Sequence, residues 1–133
     1  MKKSVLLSVI FLFLLGTFVQ NSAYAAPAGS RRANITQAQI QEMSSTLDNF
    51  NLKIHTKSLF SPEENEELFN IKLKLDTQMQ KKAEASLAPL YYKAGLIFAS
   101  REYKKESLDC YQTVIENFGS TVYAQKARKE LAR

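Results

Sequence analysis

His55 and Cys110 are the only histidine and the only cysteine in this 133-residue chain. They are the side chains best suited to acid–base or nucleophilic chemistry near neutral pH. A catalytic base needs a nucleophile or an orienting group in reach, and a nucleophile needs an activating base. The neighbours in sequence, Ile54 and Lys57 around His55 and Asp109 and Tyr111 around Cys110, supply no such motif. One Cys with one His cannot close a zinc site, and a single Cys cannot make an intrachain disulfide. Glu63, Glu64, Glu66 and Glu67 are the densest carboxylate cluster. No further oxygen ligands follow at a spacing that would complete a cation site. The chain also lacks a phosphate-binding loop, a dinucleotide fingerprint, a nucleophile elbow and a metalloprotease pair. The expectation is a non-enzymatic protein with no catalytic residues, no metal and no cofactor. His55 then reads as a surface histidine near a helix end, and Cys110 as a buried free thiol.

The elements that carry these residues begin after a distinct N-terminal segment. The composition, 45% hydrophobic and 23% charged, is enough for a core and argues against wholesale disorder. Much of the apolar content is local. Met1-Lys2-Lys3 precedes a nearly unbroken apolar run from Val5 to Val19, and Ala23-Tyr24-Ala25 follows with small residues where a signal peptidase reads. This is the three-part pattern of a secretory signal peptide over residues 1–25, cut before Ala26. The run is short for a membrane-spanning helix, which takes about 20 apolar residues. An uncleaved inner-membrane anchor is the alternative. Export predicts a periplasmic protein, or an extracellular one. Removing two lysines and no acids lowers the net charge from +5 to +3, too mild a balance to predict nucleic-acid binding.

Residues 26–35, with Pro27, Gly29, Arg31 and Arg32, read as a flexible leader. A single helical domain is predicted over 36–133. Thr36 and Gln39 form a capping-box pattern, which is more economical than reading Asn34-Ile35-Thr36 as a glycosylation acceptor. Ile40, Met43, Leu47, Phe50 and Ile54 then make one narrow apolar stripe. Such a stripe is either an ordinary packing face or a two-heptad seam for self-association. Ser61-Pro62-Glu63-Glu64 starts a second helix, expected to run to 86 with Leu68, Ile71, Leu75, Met79 and Ala83 inward and Phe69 flanking. Pro89 opens a third, apolar nearly all round and so sandwiched between neighbours. Tyr103, Ser107, Leu108, Tyr111, Val114, Ile115 and Phe118 trace a fourth, stopped by Gly119. A fifth follows Thr121, with Val122, Tyr123, Ala124, Ala127 and Leu131 inward and four cations toward its end. No alternating segment or hairpin signal predicts a strand, so the class is all-α with about five helices.

Within this frame, Tyr91, Gly95 and Phe98, followed by Ser107, Tyr111 and Val114, fall at large, small and large intervals over 88–118. With the run Tyr111–Phe118 and the entry Ser120–Ala124, this stretch resembles a tetratricopeptide repeat (TPR), one degenerate unit over about 88–121 of the kind found in exported bacterial envelope proteins. Ser107 stands where the family usually has alanine, Val114 is bulkier than usual, and Gly119 replaces a frequent proline. The resemblance implies an antiparallel TPR-like hairpin packed on two N-terminal helices. Residues 88–133 would form the unit plus a capping helix. A lone unit cannot bury both faces, so helices 36–56 and 62–86 should cover one side and 121–132 the other.

The resemblance further implies protein binding. By position Tyr92, Leu96 and Ala99 would face a groove with Lys93 at its edge. The competing expectation is that these four pack against the helix at 62–86. The functional expectation is an exported adaptor or assembly module of the cell envelope. Its partner would be another envelope protein or peptide, an acidic one among the candidates. A self-associating structural protein, joined through Ile40, Met43, Leu47, Phe50 and Ile54 into a homo-oligomer, is the alternative. Neither nucleic acid nor stable membrane insertion after signal cleavage is expected.

Overall fold

The computed structural model describes residues 34–133, which form one compact unit. The expected signal peptide at 1–25 and most of the expected leader at 26–35 lie outside the described residues. Within them the fold is all-α: α1 Gln37–His55, α2 Pro62–Lys81, α3 Ala88–Ser100, α4 Lys104–Asn117 and α5 Val122–Leu131, with one 3-10 turn at Ala85–Leu87. There is no strand among the described residues, and no helix there is long and apolar enough to cross a membrane.

Capping fixes where the first two helices start. The Gln39 N–H donates to Thr36 Oγ1 at 3.2 Å, and the Thr36 N–H donates back to Gln39 Oε1 at 2.9 Å. Ser61 and Glu64 repeat the exchange at 3.2 and 2.9 Å, with Pro62 in the first turn. Each box satisfies two backbone donors that a helix N-terminus otherwise leaves unpaired. Glu64 also pairs with Lys53 from the end of α1. The Lys53 ammonium, and then the Ser61 N–H, hold the Glu64 carboxyl below the usual carboxylate range. A depressed folded value means its stabilisation is present above the unfolded value and lost as pH falls through the folded one. Glu64→Gln keeps an acceptor for the cap but loses the ion pair. Melting series from neutral pH to about pH 3 should therefore show a smaller acid-induced drop in the variant than in the wild type.

Helix α3 is the centre of the fold, and the other four helices all pack on it. Leu90, Tyr91, Ala94, Ile97 and Phe98 have no exposure at all, so most of its apolar surface is enclosed by neighbours, the side of Tyr92, Leu96 and Ala99 excepted. Along α3, Lys93 meets α1 at Ser44 and Asp48, Tyr91 meets α2 at Asp76, and Tyr92 meets α5 at Tyr123. The α1 stripe turns inward: Ile40, Met43, Leu47 and Phe50 are buried in the common core, and Ile54 is half-buried against it. Helices α1 and α2 run antiparallel and are tied at both ends. Lys53–Glu64 closes one end, and the Ile35 N–H donates to Gln78 Oε1 at 3.0 Å at the other. Ile35, the last residue of the expected leader, is thus already part of the packed unit.

Several placements differ from expectation. The second helix stops at Lys81, where Lys82 turns extended, rather than running to 86. Nothing local in Lys81–Glu84 breaks a helix; burial of Leu87 and Ala88, both fully enclosed, requires the chain to turn and overrides propensity. Ala83 is consequently exposed, and Gln78 rather than Met79 takes the deeply buried position. Leu108, Val122 and Leu131 are 45%, 54% and 43% exposed, so these three do not join the core. Ala124 and Ala127 alone are buried from α5, and their small size lets that helix sit close to its neighbours.

The α1 and α3 C-termini share one device. Lys57 and Glu102 have φ of 54° and 65°, the left-handed region that favours glycine. After α3, the Glu102 N–H donates to the Ala99 carbonyl and the Tyr103 N–H to the Phe98 carbonyl, with the Phe98 and Tyr103 rings in contact at 6.1 Å. This is a Schellman cap built without glycine. Glu102→Gly should raise stability by about 1 kcal/mol, read as an upward shift in thermal midpoint.

Candidate functional site

The antiparallel hairpin α3–α4 closes unusually tightly at one point. A Cβ on Gly95 would lie 2.7 Å from Tyr111 Cε1, and Ser107 Oγ donates to the Gly95 carbonyl at 2.9 Å. Only glycine leaves room for the Tyr111 ring there, and only a small residue at 107 reaches the carbonyl. Burial pushes the Tyr111 phenol up to about 12.

That packing turns Tyr92 toward α5. Its ring centroid lies 6.1 Å from Tyr111 and 5.9 Å from Tyr123. The Lys126 ammonium stands 5.8 Å from the Tyr92 centroid and 5.4 Å from that of Tyr123, within cation–π range of both. Burial raises the Tyr92 phenol above its ordinary value; Glu130 raises it further and Arg133 opposes this. Lys93, one residue on, faces the other way. Its ammonium donates to Ser44 Oγ at 2.9 Å and meets the Asp48 carboxylate at 2.7 Å, both on α1.

Leu96 lies one turn beyond both Tyr92 and Lys93, and Ala99 one turn further. Tyr92, Leu96 and Ala99 therefore run as a strip along α3, with the α1 contact of Lys93 on one flank and α5 on the other. Tyr92 and Leu96 are half-buried and Ala99 is exposed. Tyr92, Leu96 and Ala99 lie along this strip and Lys93 lies at its α1 edge, its ammonium paired with Asp48. For Tyr92 and Lys93 the partners are not on α2: those of Lys93 belong to α1, and those of Tyr92 to α4 and α5. Tyr123 and Lys126 were missed as site residues. The signal available was the i, i+3 spacing of an aromatic and a cation on a short C-terminal helix.

The opposite side of the hairpin holds a polar network. Tyr91 OH donates to Asp76 Oδ1 at 2.8 Å, and Lys72 bridges Asp76 at 2.7 Å and Asp109 at 2.5 Å. Burial disfavours the Lys72 charge, but the bonds to Asp109 and Asp76 outweigh it and hold the ammonium above its usual range. Burial, reinforced by the Asp76 bond, raises the Tyr91 phenol as well. Beside the network is a shallow cavity of about 510 Å³ between α2 and α4, edged by Phe69, Lys72, Leu108 and Asp109. Phe69 is 37% exposed but stacks edge-on against Phe98 and Tyr103, so it is largely a structural wall.

The residues singled out for reactivity are placed apart from both regions or enclosed. Cys110 has no exposure, and burial pushes its thiol up to about 12, far from a reactive thiolate. Cys110 is a free thiol enclosed in the core. His55 is exposed in the last turn of α1. Glu63, Glu64, Glu66 and Glu67 lie along the start of α2, where their charge suits the helix dipole. No group of three or more His, Cys, Asp or Glu among the described residues is arranged to hold a metal ion. Comparison of the chain with protein-family models, with curated proteins and with solved structures gave no match.

Proposed function

We propose that the protein is a non-enzymatic interaction module, exported to the cell envelope, that binds a segment of another protein along α3. The observation that carries this reading is the strip Tyr92–Leu96–Ala99. It is apolar, partly open and fixed by rigid helices on both flanks. Partly exposed aromatics on a rigid frame give contact area at small entropic cost, which is what binding surfaces need. The tight Gly95–Tyr111 and Ser107–Gly95 approaches support the TPR-like reading of the hairpin. The export signal supports the envelope, and the periplasm in particular. Burial of Ile40, Met43, Leu47 and Phe50 weighs against self-association through that stripe.

The test is site-specific photocrosslinking in living cells. A crosslinker at the exposed Ala99 should trap one defined protein, and Leu96→Arg should abolish the adduct without loss of fold. Equal trapping by a crosslinker at exposed Leu73 on α2, or an adduct indifferent to Leu96→Arg, would remove the strip as the binding face.

A further inference from the structure

We propose that the segment bound along α3 is an acidic peptide of a partner protein, anchored by Lys126. This rests on the docking role assigned above and names the chemistry of its ligand. Lys126 is exposed, sits over the Tyr92 and Tyr123 rings, and forms no ion pair among the described residues. Two other cations near the strip are neutralised: Lys93 by Asp48, and Arg133 by Glu130 at 2.9 Å. Lys126 has no such partner, so a ligand lying on Tyr92, Leu96 and Tyr123 meets a positive charge on the α5 flank. Arg128 and Lys129, on the same helix, are likewise exposed and without an ion pair among the described residues, so the surrounding field has the same sign.

Holding Lys126 over two rings also limits how far its ammonium wanders, which reduces the ordering cost of meeting a carboxylate. A basic ligand would face repulsion from this helix. A neutral apolar one would leave the cation partly desolvated without a partner. Alternating acidic and apolar side chains satisfy both halves of the surface.

The experiment is fluorescence anisotropy with the purified protein and a labelled peptide of alternating glutamate and leucine. A twin with glutamine in place of glutamate serves as the neutral probe. The glutamate probe should bind about tenfold more tightly than its twin. Its advantage should shrink as salt is raised from about 50 to about 500 mM. Lys126→Glu should weaken the glutamate probe about tenfold, while Lys105→Glu, the same charge change on α4, should alter it less than about twofold. Unchanged melting of both variants excludes loss of fold as the cause. Equal weakening by the two variants would mean that net charge drives binding, and overturns the proposal.

Binding of the neutral probe as tightly as the acidic one, sensitive to Tyr123→Ala but not to Lys126→Glu, would also overturn it. The docking role of the strip would survive that result. Failure of the glutamate probe to bind would overturn the proposal too, and the docking role falls with it only if crosslinking at Ala99 is also indifferent to Leu96→Arg. Salt-sensitive self-association that Lys126→Glu abolishes would replace the external peptide with a second copy, presenting Glu63, Glu66 and Glu67.

Discussion

Leu47→Ala should cost about 3 kcal/mol of folding stability and lower the thermal midpoint by roughly 15 °C. Leu47 has no exposure, and Met43 and Phe50 bury on the same stripe of α1. Truncation removes the transfer term of the side chain and leaves a cavity that flanking helices can only partly close. For a domain this small, whose total stability is of order 5–15 kcal/mol, that is a large share. Besides this stripe, α1 is held by polar ties at Lys93–Asp48, Lys53–Glu64 and Ile35–Gln78. The loss should therefore be felt first locally. Amide exchange across 37–55 should accelerate more than across 88–117. The same variant separates the two roles considered for the stripe. If it joined chains, Leu47→Ala would change the molecular mass in solution and leave the monomer's melting unaltered. A monomer that melts much lower identifies the stripe as core.

Gly95→Ala should destabilise by about 1–2 kcal/mol, against the usual sign for this substitution in a helix. In a helix interior the change ordinarily gains about 1 kcal/mol, because alanine costs less backbone entropy. Here the new methyl would sit 2.7 and 2.9 Å from two carbons of the Tyr111 ring. Tyr111 is itself buried and stacked against Tyr92, so the ring can yield only by pushing into the aromatic cluster. Overpacking of that kind costs about 1–3 kcal/mol, more than the entropy gained. The check is a denaturant titration of Gly95→Ala, with Gly95→Ala/Tyr111→Leu as companion. Removing the ring should recover part of the loss, relative to Tyr111→Leu alone. A stabilised Gly95→Ala would show that the α3–α4 spacing is looser than described.

The helices and their inward faces were legible where one-dimensional period matches burial. Ile40, Met43, Leu47 and Phe50 repeat at helical spacing and are buried as a row, and the Ser61-Pro62 and Thr36 starts are fixed by local hydrogen bonds. Gln78 was illegible because its polarity hides its burial: it is inside only because Ile35 brings it an N–H from 43 residues away. The early end of α2 escaped notice for a similar reason, since Leu87 rather than any stop residue demands the turn. At the candidate site, Tyr92, Leu96 and Ala99 could be read from the resemblance. The pairing of Lys93 with Asp48 spans 45 residues and has no local signature. Without it Lys93 reads as an unpaired cation at the groove edge.

The sequence distances of these ties carry a kinetic consequence. Ser107 reaches Gly95 across only 12 residues, whereas Lys93 reaches Ser44 across 49 and Ile35 reaches Gln78 across 43. Short loops close at lower entropic cost, so α3 and α4 are the natural nucleus and α1 docks late. In that order, α3 has its α4 side covered while its α1 side is still bare. In the transition state of that order, the apolar floor later sealed by Leu47 and Phe50 is still open to solvent. Substitutions along the α1 stripe should accordingly speed unfolding while leaving the folding rate nearly untouched. On the export proposed above, the stripe would emerge early in the chain and be seated last.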